Sequence, residues 1–154
     1  MATPVVPDTA TDPTAAAPPL GRVLVADDDD ALRALIAAAL RREGFDVVEA
    51  TTGVECVGYA QPWTFRGSPV EPPDIIVSDV RMPGWSGFEA LRILRAGSSP
   101  PPVILMTAFA SPEAHDLAAR LGAAHLFDKP FEIDDLVSVV RELLTLSRLP
   151  GEAR

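Results

Sequence analysis

The chain has 154 residues, room for one folded domain and no second, and 47% hydrophobic content is ample for a single core. Thirteen Lys and Arg against 22 Asp and Glu give a formal charge of −9, so phosphate backbones repel it and direct nucleic-acid binding is not expected. One cysteine, Cys56, cannot form an internal disulfide, and with two histidines it leaves no Cys/His zinc framework.

Met1 to Leu20 are mostly Ala, Thr and Pro with no Lys or Arg, and read as a disordered arm. A secretory signal needs a basic start before an apolar run, and no stretch approaches the roughly 18 consecutive apolar residues of a membrane span. A cytoplasmic protein without membrane contact is expected.

From Gly21 the pattern changes to short apolar runs between helical segments. Val23 to Ala26 suit a buried strand, and Asp27 to Asp30 follow as an acidic turn. Leu32, Leu35, Ile36, Ala39 and Leu40 then fall at helical spacing, with Arg41 and Arg42 in the last turn and Gly44 as a stop. Phe45 to Ala50 read as a less buried strand, and Thr51-Thr52-Gly53 open a weak helix through Val54, Val57 and Tyr59. Gln61 to Pro73 hold four prolines, Trp63 and Phe65, and read as an extended loop.

Ile75 to Ser78 form another buried strand ending at Asp79. After Met82-Pro83-Gly84 comes a helix carrying Phe88, Leu91 and Leu94, closed by Gly97. Val103 to Met106 give a fourth strand ending at Thr107, and Ser111-Pro112-Glu113 start a helix that stops near Gly122. A short strand, His125 to Asp128, leads through Lys129-Pro130-Phe131 into a last helix with Ile133, Leu136, Val137, Val140, Leu143 and Leu144 on one face.

Strands alternating with helices imply a parallel sheet covered on both faces, whose ligands sit beyond the carboxyl ends of the strands. Asp27 and Asp28, Asp79, Thr107 and Lys129 fall there. Gathered carboxylates repel one another and either raise a pKa or recruit a cation, and Mg²⁺ takes such oxygen ligands. Asp27, Asp28 and Asp79 together carry −3, which Mg²⁺ and Lys129 offset. A carboxylate beside such cations can attack phosphorus to give an acyl phosphate, and a Thr107 hydroxyl can donate to a phosphoryl oxygen.

Val23-Leu24-Val25-Ala26-Asp27-Asp28-Asp29, Asp79-Val80-Arg81-Met82-Pro83-Gly84, Met106-Thr107-Ala108 and Asp128-Lys129-Pro130-Phe131, in this order and each at a strand end, together resemble the receiver domain of two-component response regulators. The resemblance covers about Gly21 to Leu146. It implies a flavodoxin-like α/β fold: a five-stranded parallel sheet in the order 2-1-3-4-5, helices on both faces, over residues 21–147 with a short tail at 148–154. It implies a stand-alone signalling phospho-acceptor rather than an enzyme. Asp79 would receive phosphate from a histidine kinase, a phosphotransfer protein or a small donor, and a downstream protein target would read the result. Mg²⁺ would be held by Asp27, Asp28, Asp79 and the Arg81 backbone carbonyl. Thr107 and Lys129 would read and hold the phosphoryl group, Ala108 would leave it room, and the Lys129-Pro130 bond would be cis. Arg81 and Phe109 occupy flanking positions that influence dephosphorylation in the family.

The chain departs from that pattern at Leu126, where Tyr or Phe is usual three residues before the lysine; Phe127 is a candidate to share that part. This position lies on the face of the fourth helix, fifth strand and fifth helix, through which receivers form homodimers. The loop from Gln61 to Pro73 is longer than usual, and its Trp63 and Phe65 read as a partner contact or as packing. Asp29 and Asp30 are left to helix capping, His125 to a turn, and Cys56 to helix packing. Two other functions compete: a receiver fold kept as a phosphorylation-independent scaffold, and an aspartyl-phosphate phosphohydrolase of the haloacid-dehalogenase type, which Arg81 disfavours because it stands where a second aspartate would be.

Overall fold

A computed structural model describes residues 18–61, 71–97 and 99–148. Most of the Ala/Pro/Thr arm, the tail beyond residue 148, and the loop positions of Trp63 and Phe65 lie outside the described residues.

Five strands alternate with five helices: β1 (Arg22–Ala26), α1 (Asp30–Arg42), β2 (Asp46–Ala50), α2 (Gly53–Ala60), β3 (Ile75–Asp79), α3 (Gly87–Arg95), β4 (Val103–Thr107), α4 (Pro112–Leu121), β5 (His125–Asp128) and α5 (Ile133–Arg148). All neighbouring strands pair in parallel, in the order β2-β1-β3-β4-β5. The expected fold is the observed one. β3 and β4 are buried along their whole length, as strands covered on both faces must be.

Local chemistry explains the helix limits. Asp29 caps α1, its carboxylate accepting from the Ala31 and Leu32 N–H groups, and Thr52, Ser86 and Ser111 cap α2, α3 and α4 in the same way. Pro112 stands at the first turn of α4, and Gly122 ends that helix in the left-handed region at φ 84°. His125 opens β5, as the short strand from His125 to Asp128 required and not in the turn also assigned to it; it is exposed, with its ring 4.3 Å from that of Phe127.

The sheet divides the core. Val23, Val25, Val77, Ile104, Met106 and Phe127 face α1 and α5, meeting Ile36, Leu40, Leu136 and Val140. Leu24, Ile76 and Leu105 face the other way, against Val57, Leu91, Leu94 and Ala118 of α2, α3 and α4. Two apolar residues expected in helix cores lie outside them: Leu35 is 60% exposed and Val54 is 40% exposed. In α1 the buried arc is centred on Ile36, Ala37 and Leu40, which turns Leu35 towards solvent although its spacing fits the apolar stripe. Cys56 is wholly buried, and burial pushes its thiol pKa up to about 12, in keeping with a packing role.

Candidate functional site

The parallel register lines up the carboxyl ends of the strands, with Ala26 beside Ser78, Asp79 beside Met106, and Thr107 beside Asp128. Asp27 is therefore the first residue beyond β1, Asp79 the last of β3, Thr107 the last of β4 and Lys129 the first beyond β5. Asp27, Asp79 and Thr107 are buried polar residues at the ends of strands whose interiors are apolar. Buried polar groups persist where they are paired.

Asp27 is held at every polar atom. Its N–H donates to the Ala50 carbonyl at 3.1 Å, and Oδ1 accepts the Asp29 N–H at 2.9 Å. Oδ2 faces Lys129 Nζ at 3.4 Å, and the backbone carbonyl accepts from Arg33 Nη1 at 2.7 Å. Lys129 Nζ also lies 3.3 Å from Asp79 Oδ1, so one ammonium bridges the two buried carboxylates. The Lys129 N–H donates to the Thr107 carbonyl at 2.7 Å, and the bond to Pro130 is cis, as expected.

Asp27, Asp28 and Asp79 each offer a carboxylate oxygen, all within 4.8 Å of one another. Oxygens bound to one Mg²⁺ at about 2.1 Å stand at most about 4.2 Å apart, so small side-chain adjustments would close this cluster round an ion. Three carboxylates against one ammonium leave −2, the charge that a divalent ion cancels. The Arg81 carbonyl accepts no hydrogen bond among the described residues, which leaves it available as a further oxygen ligand. Mutual repulsion is legible in Asp79: burial, then the Asp27 charge, push its pKa up to about 6 against the opposing pull of Lys129.

Thr107 Oγ1 accepts the Phe109 N–H at 3.1 Å, which leaves its own hydroxyl hydrogen to donate elsewhere. Ala108, next to it, is exposed and presents only a methyl group. The Arg81 guanidinium carbon lies 3.8 Å from the centroid of the Phe109 ring, so the chain beyond β3 and the chain beyond β4 are joined by a cation–π contact. Leu126 is half-buried against the α2–α4 side of the core, whereas Phe127 is buried on the α1–α5 side, with its ring 5.1 Å from that of Phe131. Strand alternation thus turns Phe127 away from the position it was a candidate to fill.

Spacing alone brings out Asp27, Asp28, Asp79, Thr107 and Lys129, and the structure gathers all five at one edge. Arg33 is not among the motif residues. Its partners lie in the turn before α1, at the start of α1 and in β2, and the trace it leaves in the sequence is a cation in the first turns of the helix that begins at the last of four aspartates.

A family model of the response regulator receiver domain matches residues 23–141. The chain belongs to that family. Regulatory protein AtoC of Escherichia coli is 32% identical over 135 residues, covering 88% of this chain and 28% of that protein. Transcriptional regulatory protein PdtaR of Mycobacterium tuberculosis is 34% identical over 139 residues, covering 90% of this chain and 62% of that protein. Sporulation initiation phosphotransferase F of Bacillus subtilis is 28% identical over 125 residues, 81% of this chain and 94% of that protein. The receiver domain of the Francisella response regulator 1452 superposes with a TM-score of 0.73 at 30% identity, covering 83% of this chain and 99% of that one. This receiver domain thus spans less than a third of the length of AtoC, a little under two thirds of PdtaR and nearly all of the sporulation protein. Among its described residues no helix is long and apolar enough to cross a membrane.

Proposed function

We propose that this receiver domain accepts a phosphoryl group on Asp79 from a phosphohistidine of a histidine kinase or phosphotransfer protein, with Mg²⁺ as cofactor. The observation that carries the reading is the Lys129 ammonium set 3.3 Å from Asp79 and 3.4 Å from Asp27, inside a cluster of three carboxylates. A fold that needed this edge only for packing would not bury two carboxylates side by side.

The chemistry follows from the atoms present. An Asp79 oxygen attacks phosphorus, the bond from phosphorus to the donor's nitrogen breaks, and the electron pair leaves with the imidazole, giving an acyl phosphate. Asp27, Asp28, Asp79 and the Arg81 carbonyl would hold Mg²⁺, which supplies charge neutralisation for the phosphoryl oxygens. Lys129 is placed to exchange part of its contact with Asp79 for a phosphoryl oxygen. Thr107 can turn its free hydroxyl hydrogen to another, and Ala108 leaves room for the group. Arg81 and Phe109, stacked beside the acceptor, limit the access of water to the acyl phosphate.

The Thr107 shift draws on the chain leading into α4, and a downstream protein reads the altered surface of α4, β5 and α5. A homodimer through that surface is one form such a reader can take. Leu126 makes the coupling there depend on packing rather than on an aromatic ring that swings inward.

Intact-mass spectrometry after incubation with acetyl phosphate and Mg²⁺ tests the reading. One phosphoryl adduct is expected on the wild type, absent with a chelator and absent in Asp79→Asn. An adduct that survives in Asp79→Asn would overturn the assignment.

A further inference from the structure

Arg33 lies in the first turns of α1 with its side chain only 13% exposed, and each of its guanidinium nitrogens has its own acceptor. Nη1 donates to the Asp27 carbonyl at 2.7 Å, Nη2 to Asp30 Oδ1 at 2.6 Å and Nε to Glu49 Oε1 at 3.3 Å. Those acceptors belong to three pieces of chain: the turn beyond β1, the first turn of α1, and β2.

The Asp27 carbonyl belongs to the peptide that joins Asp27 to Asp28. The plane of that peptide sets where the second aspartate stands relative to the first. On its amino side Asp27 is fixed by the Ala50 carbonyl, and its side chain is fixed by the Asp29 N–H. On the carbonyl side, among the described residues, Arg33 is the one donor.

We propose that Arg33 is a positioning residue for the cation: by clamping the Asp27–Asp28 peptide to α1 and β2 it sets the two carboxylates at the spacing a divalent ion needs. The inference rests on the metal reading of Asp27 and Asp28 given above. A planar fork reaches three acceptors in three directions at once, which a lysine of equal charge cannot do. Partners that orient metal ligands without touching the metal commonly govern affinity by about 10- to 100-fold. Arg41 supplies the control, since it also reaches Glu49 at 3.2 Å and the Val47 carbonyl at 3.2 Å but bonds no part of the aspartate pair.

The test titrates Mn²⁺ into the full chain and follows free Mn²⁺ by electron paramagnetic resonance, for the wild type, Arg33→Ala, Arg33→Lys, Arg41→Ala and Asp28→Asn. Thermal melts in chelator establish which variants are folded; should Arg33→Ala not fold, Arg33→Lys carries the test. Arg33→Ala and Arg33→Lys are expected to need about tenfold or more Mn²⁺ for half-saturation, with Arg41→Ala close to the wild type. With acetyl phosphate, Arg33→Lys should raise the half-saturating Mg²⁺ by a similar factor while keeping the rate at saturating Mg²⁺. Wild-type affinity in Arg33→Lys would overturn the proposal, as would equal weakening in Arg41→Ala, which would mean general loosening of this corner. Failure of the metal reading looks different: the wild type then takes up no Mn²⁺, or Asp28→Asn binds as tightly as the wild type.

Discussion

Asp79 carries its cost in the folded state before any ligand arrives. Its pKa, raised from 3.8 to about 6, means that the folded protein holds this proton more tightly than the unfolded chain does. Stability from this group is therefore greatest below pH 4 and falls as pH rises through about 6. In chelator at pH 7.5, Asp79→Asn should melt several degrees above the wild type, and the gap should close as pH is lowered towards 4; a constant gap in differential scanning calorimetry would contradict the cause given. Phe109 is 59% exposed and packs under Arg81; if the pair limits the access of water to the acyl phosphate, as proposed, Phe109→Ala removes that screen. The phosphorylated state of that variant should decay severalfold faster, measured as loss of the adduct with time. At this scale Asp27 with Asp28, Asp79 and Thr107 were legible because apolar runs stop abruptly at them, and Lys129 because it follows the short last strand. Arg33 and the His115–Asp128 contact, with Nε2 to Oδ1 at 2.9 Å, were not, because each joins residues whose proximity only the folded chain creates.

The start of α3 packs tightly against the backbone of Asp79. A Cβ added at Gly87 would stand 2.4 Å from the Asp79 carbonyl oxygen, while the Gly87 N–H donates to the Val80 carbonyl at 2.8 Å. Gly87→Ala must push the end of β3 away. It should destabilise the protein by about 1–3 kcal/mol and slow phosphorylation of the fraction that remains folded, checked by urea melts and adduct formation. Helix limits were readable from Asp29, Ser111 and Gly122, whose capping chemistry is local. Which apolar residues face inward was less so, as Leu35 shows: the buried arc of a helix is chosen by the sheet beneath it. α4 buries only Ala118, whereas α5 buries Leu136, Val137, Val140 and Leu144. The helix nearest the Thr107 segment is thus also the more lightly anchored.

For the whole molecule, strand order was legible only through family resemblance, since periodicity tells that strands are buried but not which ones pair. The charge of −9 gathers in part at the site edge, where Asp27 and Asp28 meet Asp79. The two core faces are separated by the sheet, with Leu40 on one side and Leu91 on the other. Leu40→Ala and Leu91→Ala should each cost about 2–5 kcal/mol, and the double variant should lose close to the sum. Chemical denaturation of the four proteins in the cycle checks this, and a large coupling energy would count against the division. Substitutions on the α2–α4 side can then accumulate without compensation on the α1–α5 side. The sheet acts as a partition between two inheritances, so α4, the part of the proposed reader surface that lies on the α2–α4 side, can diverge while the α1–α5 packing under Asp27 and Lys129 keeps its shape.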